Sequence, residues 1–109
     1  MINKKIKKTI LITGGAGYIG SCLAAYLSDI YNVITIDKKN KNSFLGKKVF
    51  HYKINMNNEI KLEKLIKKVK PFSIIHLSGQ STIDLADKEK NSYLKNNINS
   101  TKLLIKIIK

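Results

Sequence analysis

The chain has no arginine: every one of its 21 basic residues is lysine, set against only seven Asp and Glu. Arginine is the side chain best suited to bidentate contacts with phosphates and base edges, so its absence argues against a dedicated nucleic-acid surface. A net charge of +14 in 109 residues would otherwise suggest a polyanionic partner or an anionic membrane. The lysines come with many Ile and Asn, the bias of an adenine- and thymine-rich coding sequence, and the charge is read as that bias first. Cysteine occurs once, at Cys22, which excludes an intrachain disulfide and fits a reducing cytoplasm. With one Pro and no Gly/Ser-rich tract, no linker or disordered tail is expected. No apolar run approaches the ~20 residues that span a bilayer. The basic stretch Met1 to Lys8 lacks a long apolar core and a cleavage site, so it does not read as a signal peptide.

What is present is enough for one domain, since a chain this long buries roughly two-thirds of the surface it exposes when unfolded. Residues Thr9 to Thr13 form a β-branched and apolar run ending at glycine, the pattern of a strand buried on both faces. A helix is expected from Tyr18 to about Ser28, with Ile19, Leu23, Tyr26 and Leu27 at helical spacing and Ala24 and Ala25 allowing close approach. Asn32 to Asp37 is a second buried strand, and Val49 to Ile54 a more mixed third one suited to a sheet edge. Asn57 or Asn58 can cap the next helix, whose stripe is Leu62, Leu65, Ile66 and Val69 and which Pro71 stops. Phe72 to Leu77 is a fourth strand. The last helix starts near Asn91, with Leu94, Ile98, Thr101, Ile105 and Ile108 expected on one face. Alternating strands and helices predict an α/β, Rossmann-type doubly wound parallel sheet, here of about four strands in the order 3-2-1-4.

Between the first strand and first helix runs Thr13-Gly14-Gly15-Ala16-Gly17-Tyr18-Ile19-Gly20, with Gly14, Gly17 and Gly20 at three-residue intervals. The three glycines serve different purposes: a tight turn at Gly14, backbone approach of a pyrophosphate at Gly17, and close helix packing at Gly20. The helix N-terminus behind the loop offers unpaired N–H groups and a partial positive charge to an anion. Asp37 closes the second strand near the ~20-residue interval at which an acid meets an adenosine ribose. A carboxylate there would repel a 2′-phosphate and favours NAD over NADP, while Lys38 and Lys39 leave NADP open.

With these features in place, the loop resembles that of the extended short-chain dehydrogenase/reductases of the NAD-dependent epimerase/dehydratase family, most closely the UDP-glucose 4-epimerase type. Three later segments agree in order and spacing: Asn55-Met56, Leu77-Ser78-Gly79, and Tyr93 to Thr101 against the family's Tyr-x-x-Asn-Asn-Val-x-Gly-Thr. The resemblance covers the whole chain. It implies that Tyr18 and Ile19 lie along the pyrophosphate, Asp37 on the ribose, and Asn55 and Met56 at the adenine. Leu77, Ser78, Gly79 and Ser81 would line the path to the nicotinamide, and Asn96, with Asn97 competing, would hold the cofactor or its loop from the last helix. Four positions depart from the family pattern: Asn55 for Asp, Ser78 for Ala, Ser81 where Lys is frequent, and Ser100 for Gly.

The family's chemistry requires a Tyr-x-x-x-Lys pair, the Tyr acting as base on the sugar 4-hydroxyl. None of Tyr18, Tyr26, Tyr31, Tyr52 and Tyr93 has a Lys four residues on, so no catalytic residue is expected within residues 1–109. The resemblance therefore implies the N-terminal part of an NAD-binding domain, without the catalytic segment and sugar-binding domain. The parent would be a cytoplasmic homodimer that epimerises a nucleotide sugar through a 4-keto intermediate, with a nucleotide-sugar 4,6-dehydratase as alternative. A basic, non-enzymatic binding module is the alternative from another class. His51 and His76 lie in strands without neighbouring ligands and read as packed or edge residues, no metal being expected. Cys22 reads as a small buried hydrophobe, and Lys61, Lys64, Lys67 and Lys68 as a solvated helix face.

Overall fold

A computed structural model describes residues 7–42, 45–78 and 87–109, with side chains of the last segment described from Asn97 onward. Strands β1 (Thr9–Thr13) and β2 (Asn32–Asp37) match the expected runs residue for residue. Strands β3 (Phe50–Lys53) and β4 (Ser73–His76) are each shorter by one residue at either end. The helices are α1 (Tyr18–Leu27), α2 (Glu59–Val69) and α3 (Asp87–Ile108), the last beginning four residues before the expected Asn91. All strand pairs are parallel, in the order β3-β2-β1-β4, as the alternation of elements predicts.

Side-chain alternation along the strands builds two cores, one on each face. Ile10, Ile12 and Val33 point to the α1 side, where Ala24, Leu45 and Val49 complete a cluster. Leu11, Ile34 and Ile36 point to the opposite side and pack against Leu62, Leu65 and Ile66 of α2 and Leu104 of α3. A fully buried Leu or Ile contributes roughly 1.5–3 kcal/mol relative to exposure, so these few side chains carry most of the fold's stabilisation. Asn58 caps α2, its side chain accepting from the Lys61 N–H at 3.2 Å. At the other end Lys70 takes the left-handed conformation, φ 45°, and donates its N–H to Ile66 O. Pro71 disfavours a helical residue before it, so the stop falls on Lys70. The four lysines expected on a solvated face of α2 are Lys61, Lys64, Lys67 and Lys68; Lys61, Lys67 and Lys68 are exposed and Lys64 is exposed alongside them.

Two helix faces differ from expectation. In α1 the buried positions are the small residues Gly20, Ser21 and Ala24, with Leu23 and Leu27 half-buried, while Ile19 and Tyr26 are exposed. Cys22 falls on the outer side and is exposed, which corrects its reading as a buried hydrophobe. In α3 the buried positions are Ser100 and Leu104, flanked by Leu103 and Ile107. Ile98, Thr101, Ile105 and Ile108 face outward, Leu104 being 5% exposed and Ile105 45%. Apolar residues occupy positions 103, 104, 105, 107 and 108, so two stripes compete and docking on the sheet selects the one containing Leu104. Ser100, where the family pattern has Gly, lies on this packed side and donates its hydroxyl to Asn97 O at 3.1 Å. Among the described residues, no helix is long and apolar enough to cross a membrane.

Candidate functional site

The carboxyl ends of β1, β2 and β4 converge on the glycine loop, the place where open parallel sheets bind ligands. Gly14 has φ +75°, and a Cβ there would lie 2.7 Å from the Leu77 carbonyl carbon and 2.9 Å from Ser78 N. Only glycine fits, because the loop crosses directly over the chain leaving β4. Gly20 is as tightly enclosed, since its Cβ would stand 2.2 Å from Gly14 O. The absence of a side chain at Gly20 thus lets the first turn of α1 close on the glycine loop. Gly17 differs: among the described residues a Cβ there would meet only Gly14 O, at 3.3 Å. Gly17 is thus the least enclosed of the three, although a Cβ there would still press on the Gly14 carbonyl, which would have to yield by a few tenths of an ångström.

Gly17 is the N-cap of α1, and among the described residues no side chain caps the helix or places an acid in its first turn. The N–H groups of a first helical turn have no partner within the helix, and the dipole's positive end lies with them. Tyr18 and Ile19 stand beside them, 78% and 69% exposed. A helix end without a side-chain cap, beside exposed apolar side chains and an exposed glycine, suits a ligand that is anionic along part of its length.

Asp37 is half-buried at the end of β2 and bonded to this loop. One carboxylate oxygen accepts from Ala16 N–H and the other from Lys39 N–H, each at 3.0 Å. Both oxygens retain a lone pair for an incoming hydroxyl. Asn42 reaches back from the β2–β3 connection to donate to Ala16 O at 3.2 Å. Asn55 is exposed just past β3, where Ile54 N–H bonds Asp37 O at 2.9 Å; its side-chain oxygen accepts from Asn57 N–H at 2.9 Å. Met56 is 9% exposed and packs in the core against α2.

On the other flank, Thr13 forms the hub. Its Oγ1 accepts from Leu77 N–H at 3.0 Å and Ser78 N–H at 3.1 Å and contacts His76 Nδ1 at 2.6 Å. A hydroxyl has two lone pairs and one proton, so with both lone pairs engaged the proton must face Nδ1. His76 Nε2 lies 3.1 Å from Thr101 Oγ1, whose own proton goes to Asn97 O at 2.9 Å. His76 is therefore a neutral imidazole with its proton on Nε2, tying β1 to α3 through β4. Burial alone pushes its pKa below the ordinary 6.5, as expected for a ring whose Nδ1 must accept. This network was not read from the sequence; its only sign there is Thr and His at the ends of strands that become neighbours.

Of the residues expected to form the site, Gly14, Gly17, Tyr18, Ile19, Gly20, Asp37, Leu77 and Ser78 gather around the glycine loop. Asn55 and Met56 lie beyond the end of β3. Gly79 and Ser81 fall outside the described residues, as does the side chain of Asn96. Among the described residues, no group of three His, Cys, Asp or Glu could hold a metal ion.

Residues 10–109 match the model of the NAD dependent epimerase/dehydratase family. The chain is 32% identical to a UDP-glucose 4-epimerase of Schizosaccharomyces pombe, over 93% of its own length and 31% of that protein. It is 35% identical to a dTDP-D-glucose 4,6-dehydratase of Dictyostelium discoideum, over 92% of its length and 26% of that protein. Its structure resembles a UDP-glucose 4-epimerase of Bifidobacterium longum, solved with NAD+ and UDP, with a TM-score of 0.81 and 27% identity. That likeness covers 93% of this chain and 33% of the other. The chain thus spans about a third or less of the length of the relatives it matches.

Proposed function

The chain belongs to the NAD dependent epimerase/dehydratase family, and on that premise we propose that it is the NAD-binding N-terminal part of a UDP-glucose 4-epimerase-like protein. The observation that carries this is the combination at the loop: Gly17, the least enclosed of the three glycines, at a helix N-terminus without a side-chain cap, with the Asp37 carboxylate bonded to the same loop. These residues fit a dinucleotide. The pyrophosphate takes the N–H groups at the start of α1, alongside Tyr18 and Ile19, and Asp37 accepts from the adenosine ribose. The adenine lies toward Asn55, with Met56 as the apolar floor below. Leu77 and Ser78, held by Thr13, border the nicotinamide half, followed by Gly79 and Ser81; Asn96 would act from α3.

In this reading NAD supplies reversible two-electron oxidation at C4 of a nucleotide sugar, which passes through a 4-keto form. Residues 1–109 hold and orient the cofactor. The Tyr-x-x-x-Lys pair and the sugar-binding domain belong to a longer parent, acting as a cytoplasmic homodimer without a specific nucleic-acid partner. The likeness to a 4,6-dehydratase supports a second reading of the parent reaction that uses the same cofactor residues. Calorimetric titration with NAD and NADP tests the cofactor reading. NAD should bind more tightly than NADP; no NAD binding, or the reverse preference, would defeat it.

A further inference from the structure

We propose that His51 is a positioning residue that sets the preference for an adenosine ribose 2′-hydroxyl over a 2′-phosphate, by holding the Asp37 carboxylate through the backbone of Lys39. The proposal rests on the dinucleotide reading above and concerns a residue outside the glycine loop. In the parallel register His51 of β3 pairs with Thr35 of β2, and Thr35 Oγ1 lies 2.8 Å from His51 Nδ1. On its other side His51 Nε2 is 3.0 Å from Lys39 O. A carbonyl can only accept, so Nε2 carries the proton, and in the neutral ring Nδ1 accepts from the Thr35 hydroxyl.

The anchor at the start of this chain of bonds is rigid. Thr35 is fully buried and wedged under the glycine loop, where a Cβ on Gly15 would come within 2.3 Å of Thr35 Cβ. From Thr35 the bonds run through His51 to Lys39 O, and Lys39 N–H then bonds one Asp37 oxygen while Ala16 N–H bonds the other. The carboxylate is thus held from two sides: by the glycine loop directly, and by the edge strand through His51. Lys38 and Lys39 are exposed and would attract a phosphate if the carboxylate turned away. A fixed carboxylate keeps the repulsion aimed at the ribose 2′-position, whereas a released one leaves that position to the lysines. Selectivity therefore depends on the β3 brace as well as on having an acid at position 37.

The test is titration of NAD and NADP into the unmodified chain and into His51→Phe, His51→Gln and Thr35→Val. Phe keeps a flat ring and removes both bonds. It should weaken NAD about 10-fold while leaving NADP unchanged or tighter, so that the NAD:NADP preference collapses. Gln retains a donor at reach of Lys39 O and should hold the preference within about 3-fold of the unmodified chain. Thr35→Val, which removes only the hydroxyl, should shift the preference in the same direction as Phe and serves should His51→Phe fail to fold. Equal losses for both nucleotides, or an unchanged preference in His51→Phe and Thr35→Val, would overturn the proposal. If the unmodified chain bound neither nucleotide, the dinucleotide reading itself would fall, a result distinct because it precedes any substitution.

Discussion

Two threonine–histidine pairs flank the glycine loop, both made by register neighbours in the parallel sheet: Thr13 with His76 and Thr35 with His51. They share a tautomer and differ in what they hold. His76 is locked on both sides, since the lone pairs of Thr13 Oγ1 are taken by Leu77 and Ser78 and the Thr101 proton by Asn97. That pair joins two strands to α3 and belongs to the architecture of the β4 side of the loop. His51 ends on a single loop carbonyl at the sheet edge, so at its far end it ties no further helix or strand. The same chemical unit can thus act as a structural tie in one place and as a tuning device in another, depending on how many elements lie at its far end.

The largest expected effect is on the loop that both pairs support. Gly20→Ala forces a Cβ against the Gly14 carbonyl, a backbone atom that cannot rotate away. It should destabilise the chain by about 3 kcal/mol in denaturant unfolding, with NAD binding lost alongside. A loss below about 1 kcal/mol would mean that the loop yields more readily than its geometry implies.

Thr13→Val tests the structural pair. It leaves Ser78 N–H without its acceptor and His76 Nδ1 without its donor, while Leu77 N–H keeps the Thr13 carbonyl at 3.1 Å. A cost of about 1–3 kcal/mol is expected, larger than that of Thr35→Val. The reverse order would contradict the division of roles.

The smallest effect is a pH dependence. His76 has a folded pKa below 6.5, so as pH falls the unfolded chain takes up the proton first. Its contribution is complete above about pH 6.5 and is lost as pH falls from there through the folded value. Melting temperature should fall between about pH 7.5 and pH 5.5, and less so in His76→Gln. An identical slope in the variant would show that other groups dominate that window.

Much of the fold was legible in the sequence because β1 and β2 are continuous β-branched and apolar runs with hard ends, glycine after one and aspartate at the other. The glycine loop was equally legible, since its spacing is local. What escaped depended on tertiary placement. The buried face of α3 could not be chosen from a segment apolar on nearly every side, and Cys22 was misplaced because α1 packs through Gly20, Ser21 and Ala24 rather than its larger residues. Gly15 was not singled out, because its need for glycine comes from Thr35 on another strand. Both Thr–His pairs require the parallel register, which neither strand encodes alone.

The central claim, that the open N-terminus of α1 is a cofactor site, is tested most directly by calorimetric titration of NAD into the unmodified chain and Gly17→Val, with melting curves for both. Among the described residues a Cβ at Gly17 meets only Gly14 O, at a close 3.3 Å that a small shift of the loop relieves, so the variant should stay folded at a cost of about 1–2 kcal/mol and lose NAD binding. A Gly17→Val chain that binds NAD as well as the unmodified one would contradict the account.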